Sequence, residues 1–211
     1  MDKIFKIRCS QIGKIMSNAR KAGELSATCT SYLKDWYTGE HEDVFSKYMD
    51  KGNAVENELI DFMAEVMGYG LAEKNEVYME DSYITGTADV VMPKLIVDVK
   101  APWSKKTLQD SSLELNMDYY WQGQGYMHLY GKDEFILFYG LMDTPGHCNY
   151  GNEVIYSTMP RDDRWAAFRI QRNDEDIKSI IEKVDKCREW LNEYDVKLCK
   201  TIGRVQTYPT I

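Results

Sequence analysis

Apolar positions along this chain recur with two periods, and the switch between them divides it into elements. Val55, Leu59, Phe62, Met63 and Val66 fall at i, i+4, i+7, i+8 and i+11, which predicts one long helix from about Val44 to Met67 interrupted at Gly52. Ile177, Ile180, Ile181, Val184, Leu191 and Tyr194 predict a second over 174–194, with Asp174, Glu175 and Asp176 favourably placed in its first turn. Shorter helices are expected over 9–18, capped by Ser10 with Ile12, Ile15 and Met16 on one side, and over 30–38, burying Leu33, Trp36 and Tyr37. Residues 114–130 read as a helix weakened by Gly123 and Gly125, where another backbone or DNA can approach closely. Period-two stretches at 71–80, 84–92, 95–100, 134–142 and 153–159 read as strands. Residues 19–28 and 101–113 read as loops, 161–172 as a basic stretch carrying Arg161, Arg164, Arg169 and Arg172, and 200–211 as an extended tail.

The densest information lies in the pair of strands around Met92-Pro93-Lys94. If Pro93 and Lys94 form a two-residue turn, antiparallel partners have numbers summing to 187, which puts Asp89 across from Asp98 and Thr87 across from Lys100. Cross-strand partners share a face, as do residues two apart on a strand. Asp89, Asp98 and Lys100 then project together, and Ala88, Val90, Leu95, Val97 and Val99 form the opposite, apolar face. A turn one residue longer would break this register.

Composition narrows the setting. A chain of 211 residues with 44% hydrophobic and 12% aromatic content is expected to form one globular domain spanning 1–211: N-terminal helices to 67, a core over 68–160, and a C-terminal helix and tail over 161–211. No apolar run approaches a membrane span, and the first residues carry no apolar leader. Five scattered cysteines (Cys9, Cys29, Cys148, Cys187 and Cys199) without a CxxC pair argue for reduced thiols in a cytoplasm and against a zinc or iron–sulfur site. His41, His128 and His147 are isolated, and no phosphate-cradling glycine motif is present. The net charge of −8 disfavours a general nucleic-acid coat protein, but not an enzyme whose basic residues line one channel.

Two carboxylates held on one face repel, so one takes a proton or a cation bridges them. Oxygen ligands with open positions suit Mg²⁺ or Mn²⁺, and a lysine beside such a site can position a water or stabilise charge on a phosphate. The plainer alternative is a solvated strand face with a Lys–Asp ion pair. Three further spacings weigh against it. Gly52-x-x-x-Glu56 lies on the long helix, Gly86-x-x-Asp89 on the strand before Asp98-x-Lys100, and Gln122-x-x-x-Tyr126 on the following helix, where the last two share a face.

Together these four pieces resemble the PD-(D/E)xK nuclease superfamily and its RecB-like branch, and most closely the phage lambda exonuclease / YqaJ-type viral recombinase family. "KAPW" is similar to that family's lysine-small-proline run and "YYWQGQGYM" to its tyrosine–glutamine helix. The resemblance implies an α/β (α+β) restriction-endonuclease-like core, a central mixed β-sheet flanked by helices. It implies Asp89, Asp98 and the Val99 carbonyl as metal ligands assisted by Glu56, with Lys100 as the catalytic lysine and Gln122 orienting it or the water. It further implies two Mg²⁺ ions, with Mn²⁺ as a substitute, and hydrolysis of linear duplex DNA from the 5′ end. The 3′ overhang left would pass to a single-strand annealing protein, and a homotrimeric ring is implied around the duplex. Ser10 matches a serine that holds the terminal 5′-phosphate, with Arg20, Lys105 and Tyr126 as further DNA contacts. Lys3 stands where the family carries an arginine, a point charge in place of a bidentate fork. Two rivals remain: a structure-specific endonuclease on the same fold, and a non-catalytic DNA-binding or assembly protein.

Overall fold

A computed structural model describes residues 4–39 and 46–203. Lys3, His41 and the end of the tail lie outside them. The main sheet has four strands in the order β4-β5-β6-β7: β4 (Val90–Val91), β5 (Leu95–Lys100), β6 (Glu134–Gly140) and β7 (Trp165–Gln171). β5 runs parallel to β6 and antiparallel to β4, while β7 is antiparallel to β6, so the sheet is mixed as expected. A smaller sheet of order β1-β3-β2 joins Ile7–Arg8 (β1), Ile84–Gly86 (β3) and Met79–Glu80 (β2).

Among the described residues six α-helices cover these sheets: α1 (Ile12–Met16), α2 (Ala27–Thr38), α3 (Lys47–Met67), α4 (Lys105–Leu113), α5 (Met117–Tyr130) and α6 (Asp174–Thr201). Strand alternation sorts the core into two layers. Val97, Val99, Ile136 and Phe138 face α3, whose Val55, Leu59, Phe62 and Met63 are the stripe read from the sequence. Ile96, Phe135 and Leu137 face the other way, into the layer built with α1, α2, α5 and α6. Each of these apolar side chains contributes about 1.5–3 kcal/mol by leaving water, so the central strands are clamped from both sides.

The turn at Pro93-Lys94 is the two-residue one: Met92 N donates to Leu95 O, and Val90 pairs with Val97 and Val91 with Ile96. Six expectations change. Residues 84–92 do not form one strand; the chain leaves the small sheet after Gly86 and joins the main sheet at Val90, so alternation breaks across 87–89. Ala88 therefore packs with Ile96 in the opposite layer from Val90, and Thr87 has no ladder partner, its carbonyl instead accepting from Tyr126 Oη. Residues 101–113 are a loop only as far as Ser104, which caps α4 by accepting from Thr107 N. The segment 153–159 contributes a single bridge, Thr144 to Val154. The fourth strand is instead Trp165–Gln171, inside the basic stretch and inside the segment expected to hold only helix and tail. Its Ala166, Phe168 and Ile170 pack inward, while Arg169 reaches across to Glu134 on β6 at 2.8 Å. Of the 71–80 strand only Met79–Glu80 is regular, and Ser10 sits within a 3₁₀ turn (Cys9–Gln11) rather than capping it.

Candidate active site

β5 alternates a packing residue with a polar one at its C-terminal end. Val97 and Val99 enter the α3 layer, and Asp98 and Lys100 turn toward α5. That end of β5 opens into a cleft of about 920 Å³ walled by Glu56 on α3, Asp89, Val99, Lys100, Trp103 and Tyr119.

Asp98 is 1% exposed and fastened from two directions. Gln122 Nε2 on α5 donates to its Oδ1 at 2.8 Å, and Lys100 Nζ forms an ion pair with its Oδ2, which accepts no well-aligned hydrogen bond. Asp89 accepts a hydrogen bond from Val99 N at 2.8 Å through Oδ2, taking a ladder position with its side chain. Burial, reinforced by the nearby Asp98 charge, raises the Asp89 pKa to about 7. Burial also disfavours the Lys100 ammonium, but the charges of Asp98 and Asp89 outweigh it and hold that pKa above the usual lysine value. Lys100 Nζ lies 5.1 Å from the centre of the Tyr119 ring and keeps 28% of its side chain exposed to the cleft.

Asp89, Val99 and Lys100 line one end of the cleft, and Asp98 is buried beside them between Lys100 and Gln122. Glu56 lines the same cleft, but its Oε2 is held by Lys74 Nζ at 2.5 Å. Tyr126 is not available to DNA: it is 4% exposed, and its hydroxyl donates to Thr87 O at 2.8 Å and accepts weakly from Gln122 Nε2 at 3.4 Å. It is a strut behind the site. Gly123 and Gly125 likewise admit protein rather than DNA, since a Cβ on them would lie 2.4 Å from the Phe135 ring and 2.4 Å from Ile12 Cδ1 respectively. Ser10, Arg20 and Lys105 are exposed but outside the cleft wall. Lys74, Tyr119 and Lys51 were not read from the sequence. Lys74 and Lys51 are brought there by tertiary packing that no local spacing marks, whereas Tyr119 stands one turn before Gln122 on α5.

The fold has solved counterparts. A phage-related exonuclease from Haemophilus somnus 129PT is 26% identical with a TM-score of 0.78, the match covering 93% of this chain and 97% of that one. This likeness bears out the resemblance to the lambda exonuclease family of nucleases. An alkaline exonuclease from Laribacter hongkongensis shares the fold at a TM-score of 0.67 and 17% identity over 92% of both chains, and has also been solved with dAMP. No protein-family profile matches the chain, and no curated protein matches it in sequence.

Nucleases of this kind generally use divalent metal ions, and the donor chemistry here fits one. Asp89 and Asp98 offer only hard oxygen atoms, their proximity raises the cost of leaving both ionised, and Asp98 Oδ2 is met by the Lys100 ammonium alone. Among the described residues no three acidic, histidine or cysteine side chains are grouped to hold a metal by themselves. The two carboxylates and a main-chain carbonyl would leave the remaining positions to water and phosphate, an arrangement suited to Mg²⁺.

Proposed function

We propose that this protein is a Mg²⁺-dependent exodeoxyribonuclease that degrades one strand of linear duplex DNA from its 5′ end and leaves a 3′ single-stranded overhang for strand-annealing recombination. The observation that carries the reading is the convergence of Asp89, Asp98 and Lys100 at one end of an open cleft, with Gln122 fixing Asp98.

Asp89, Asp98 and the Val99 carbonyl would hold Mg²⁺, with a second ion more loosely bound near Glu56; Mn²⁺ has the same ligand preferences. The metal supplies an acidified water and charge neutralisation of the phosphate. The chain's own residues do the positioning. Gln122 keeps Asp98 Oδ1 occupied, so that carboxylate meets Lys100 through Oδ2. Lys100, held charged by its two acidic neighbours, offers an ammonium to the scissile phosphate and to the charge that develops on it. Tyr126 fixes the start of the 87–89 crossing, and so the position of Asp89, through Thr87 O.

On this reading Ser10, Arg20 and Lys105 bind the DNA backbone outside the cleft, Lys3 is a further DNA contact, and the enzyme assembles as a homotrimeric ring working with a single-strand annealing protein. A ring reconciles a net charge of −8 with DNA binding, because only an inward basic lining has to meet phosphate. The test compares linear and covalently closed duplex, with Mg²⁺ or EDTA, using 5′-phosphate, 5′-hydroxyl and blocked ends. Progressive digestion of linear DNA only, dependent on Mg²⁺, is expected. Rapid cutting of closed circles contradicts the exonuclease reading.

A further inference from the structure

Lys51 carries a charge that the chemistry above does not use. It is fully buried on α3, five residues before Glu56, where the other inward residues are apolar. Among the described residues no carboxylate is in ion-pair contact with it, although the charge of Asp143 favours its ammonium from farther off. Its Nζ donates to Pro102 O at 2.8 Å and to Trp103 O at 3.4 Å, and lies 5.3 Å from the Tyr156 ring centre and 5.8 Å from that of Trp103. Burial draws its pKa down to about 8. Charges are rarely buried without a pair, because desolvation is costly and an aliphatic side chain of similar shape fills the same space without it.

What the charge gains is hold on one corner. Pro102 and Trp103 follow Lys100 after Ala101 and lead into α4, and a proline carbonyl at a strand-to-helix corner has no regular backbone donor to meet. Lys51 supplies that donor from a different wall of the cleft. Two neighbours reinforce the grip. Lys47, one turn earlier on α3, has Nζ 4.6 Å from the Trp103 ring centre, and Tyr156 Oη donates to Trp103 O at 3.4 Å. Tyr156 is itself fixed by Asp143, which accepts from its backbone N–H at 2.5 Å. Three segments distant in sequence are therefore fastened at one point behind the catalytic lysine.

We propose that Lys51 is a positioning residue of the nuclease site: by binding the carbonyls of Pro102 and Trp103 it ties the helix carrying Glu56 to the corner after Lys100, and so sets the separation of the cleft's two walls. The proposal rests on the nuclease reading for its consequence in catalysis, but not for its consequence in the free protein.

Lys51→Met keeps the stem and removes the donor. Three quantities are measured for it and the wild type: the thermal midpoint, kcat and KM on linear duplex with Mg²⁺, and hydrogen exchange of the metal-free protein resolved to segments. Lys51→Met is expected to remain folded, with KM within about twofold of wild type and kcat lower by tenfold or more. Exchange should quicken in 101–110 and not in α6. If Lys51→Met does not fold, Tyr156→Leu loosens the same corner from outside α3 and should give the same split in smaller degree. Unchanged kcat with unchanged exchange in 101–110 overturns the proposal, as does exchange that quickens evenly over the whole molecule. If the wild type hydrolyses no DNA, the nuclease reading fails, and the exchange of 101–110 alone decides the clamp.

Discussion

At the scale of single residues, Asp98 sits between a neutral donor and a cation, and each partner does a different job. Gln122 contributes geometry. Replacing it with leucine leaves Asp98 Oδ1 buried without its donor, so Gln122→Leu is expected to lose about 1–3 kcal/mol of stability and at least tenfold in hydrolysis; a denaturant titration beside a nuclease assay checks both. Asp89 contributes a pH dependence. Its folded-state pKa of about 7 lies well above the ordinary aspartate value of about 3.9. Between those values the folded chain binds more protons than the unfolded one, so its stability falls as pH rises through that window. In EDTA, wild type should lose more stability than Asp89→Asn between pH 5 and pH 8; equal losses would show that Asp89 does not titrate there. Asp89 and Asp98 were legible in the sequence because a two-residue turn sets the register that places them opposite each other, and Gln122 because of the family resemblance. Lys74 and Lys51 were not, because their contacts join segments 18 and 51 residues apart that no periodicity relates.

At the scale of elements, α3 and α5 hold the two walls of the cleft, and their glycines serve opposite ends. Gly123 lets α5 lie against β6: a Cβ there would meet the Phe135 ring. Gly123→Ala is therefore expected to cost about 1–3 kcal/mol through overpacking, visible as a lowered thermal midpoint. Gly52 lines the cleft, and a Cβ there would meet nothing within 4 Å. Gly52→Ala should stabilise α3 by about 0.5–1 kcal/mol while adding a methyl to the substrate wall, so a raised melting temperature together with a raised KM is the expected pair. The long helices were legible from their apolar stripes. α4 was not, because it buries only Leu108 and its Lys105-Lys106 start reads as a polar loop. β7 was hidden for a related reason: Arg169 on its outer face is satisfied by Glu134 across the strand pair, so a real alternation looks like a basic patch.

At the scale of the molecule, the site exists because the chain changes sheets between Gly86 and Val90 and returns through β5. That crossing delivers Asp89 to the same strand end as Asp98 and Lys100, with α3 on one side and α5 on the other. The mixed sheet and its covering helices were what the family resemblance implied, whereas the division into two sheets was not legible, because 84–92 is continuous in composition. The measurement that bears most directly on the account is made with Lys100→Ala. DNA binding and Mg²⁺-dependent release of nucleotides from linear duplex are followed on the same preparation. Binding should stay within a few-fold of wild type while release falls by about 10²-fold or more, the scale expected for loss of a positioned proton-transfer or charge-stabilising group. Release at the wild-type rate would contradict the assignment of this cleft as the site of hydrolysis.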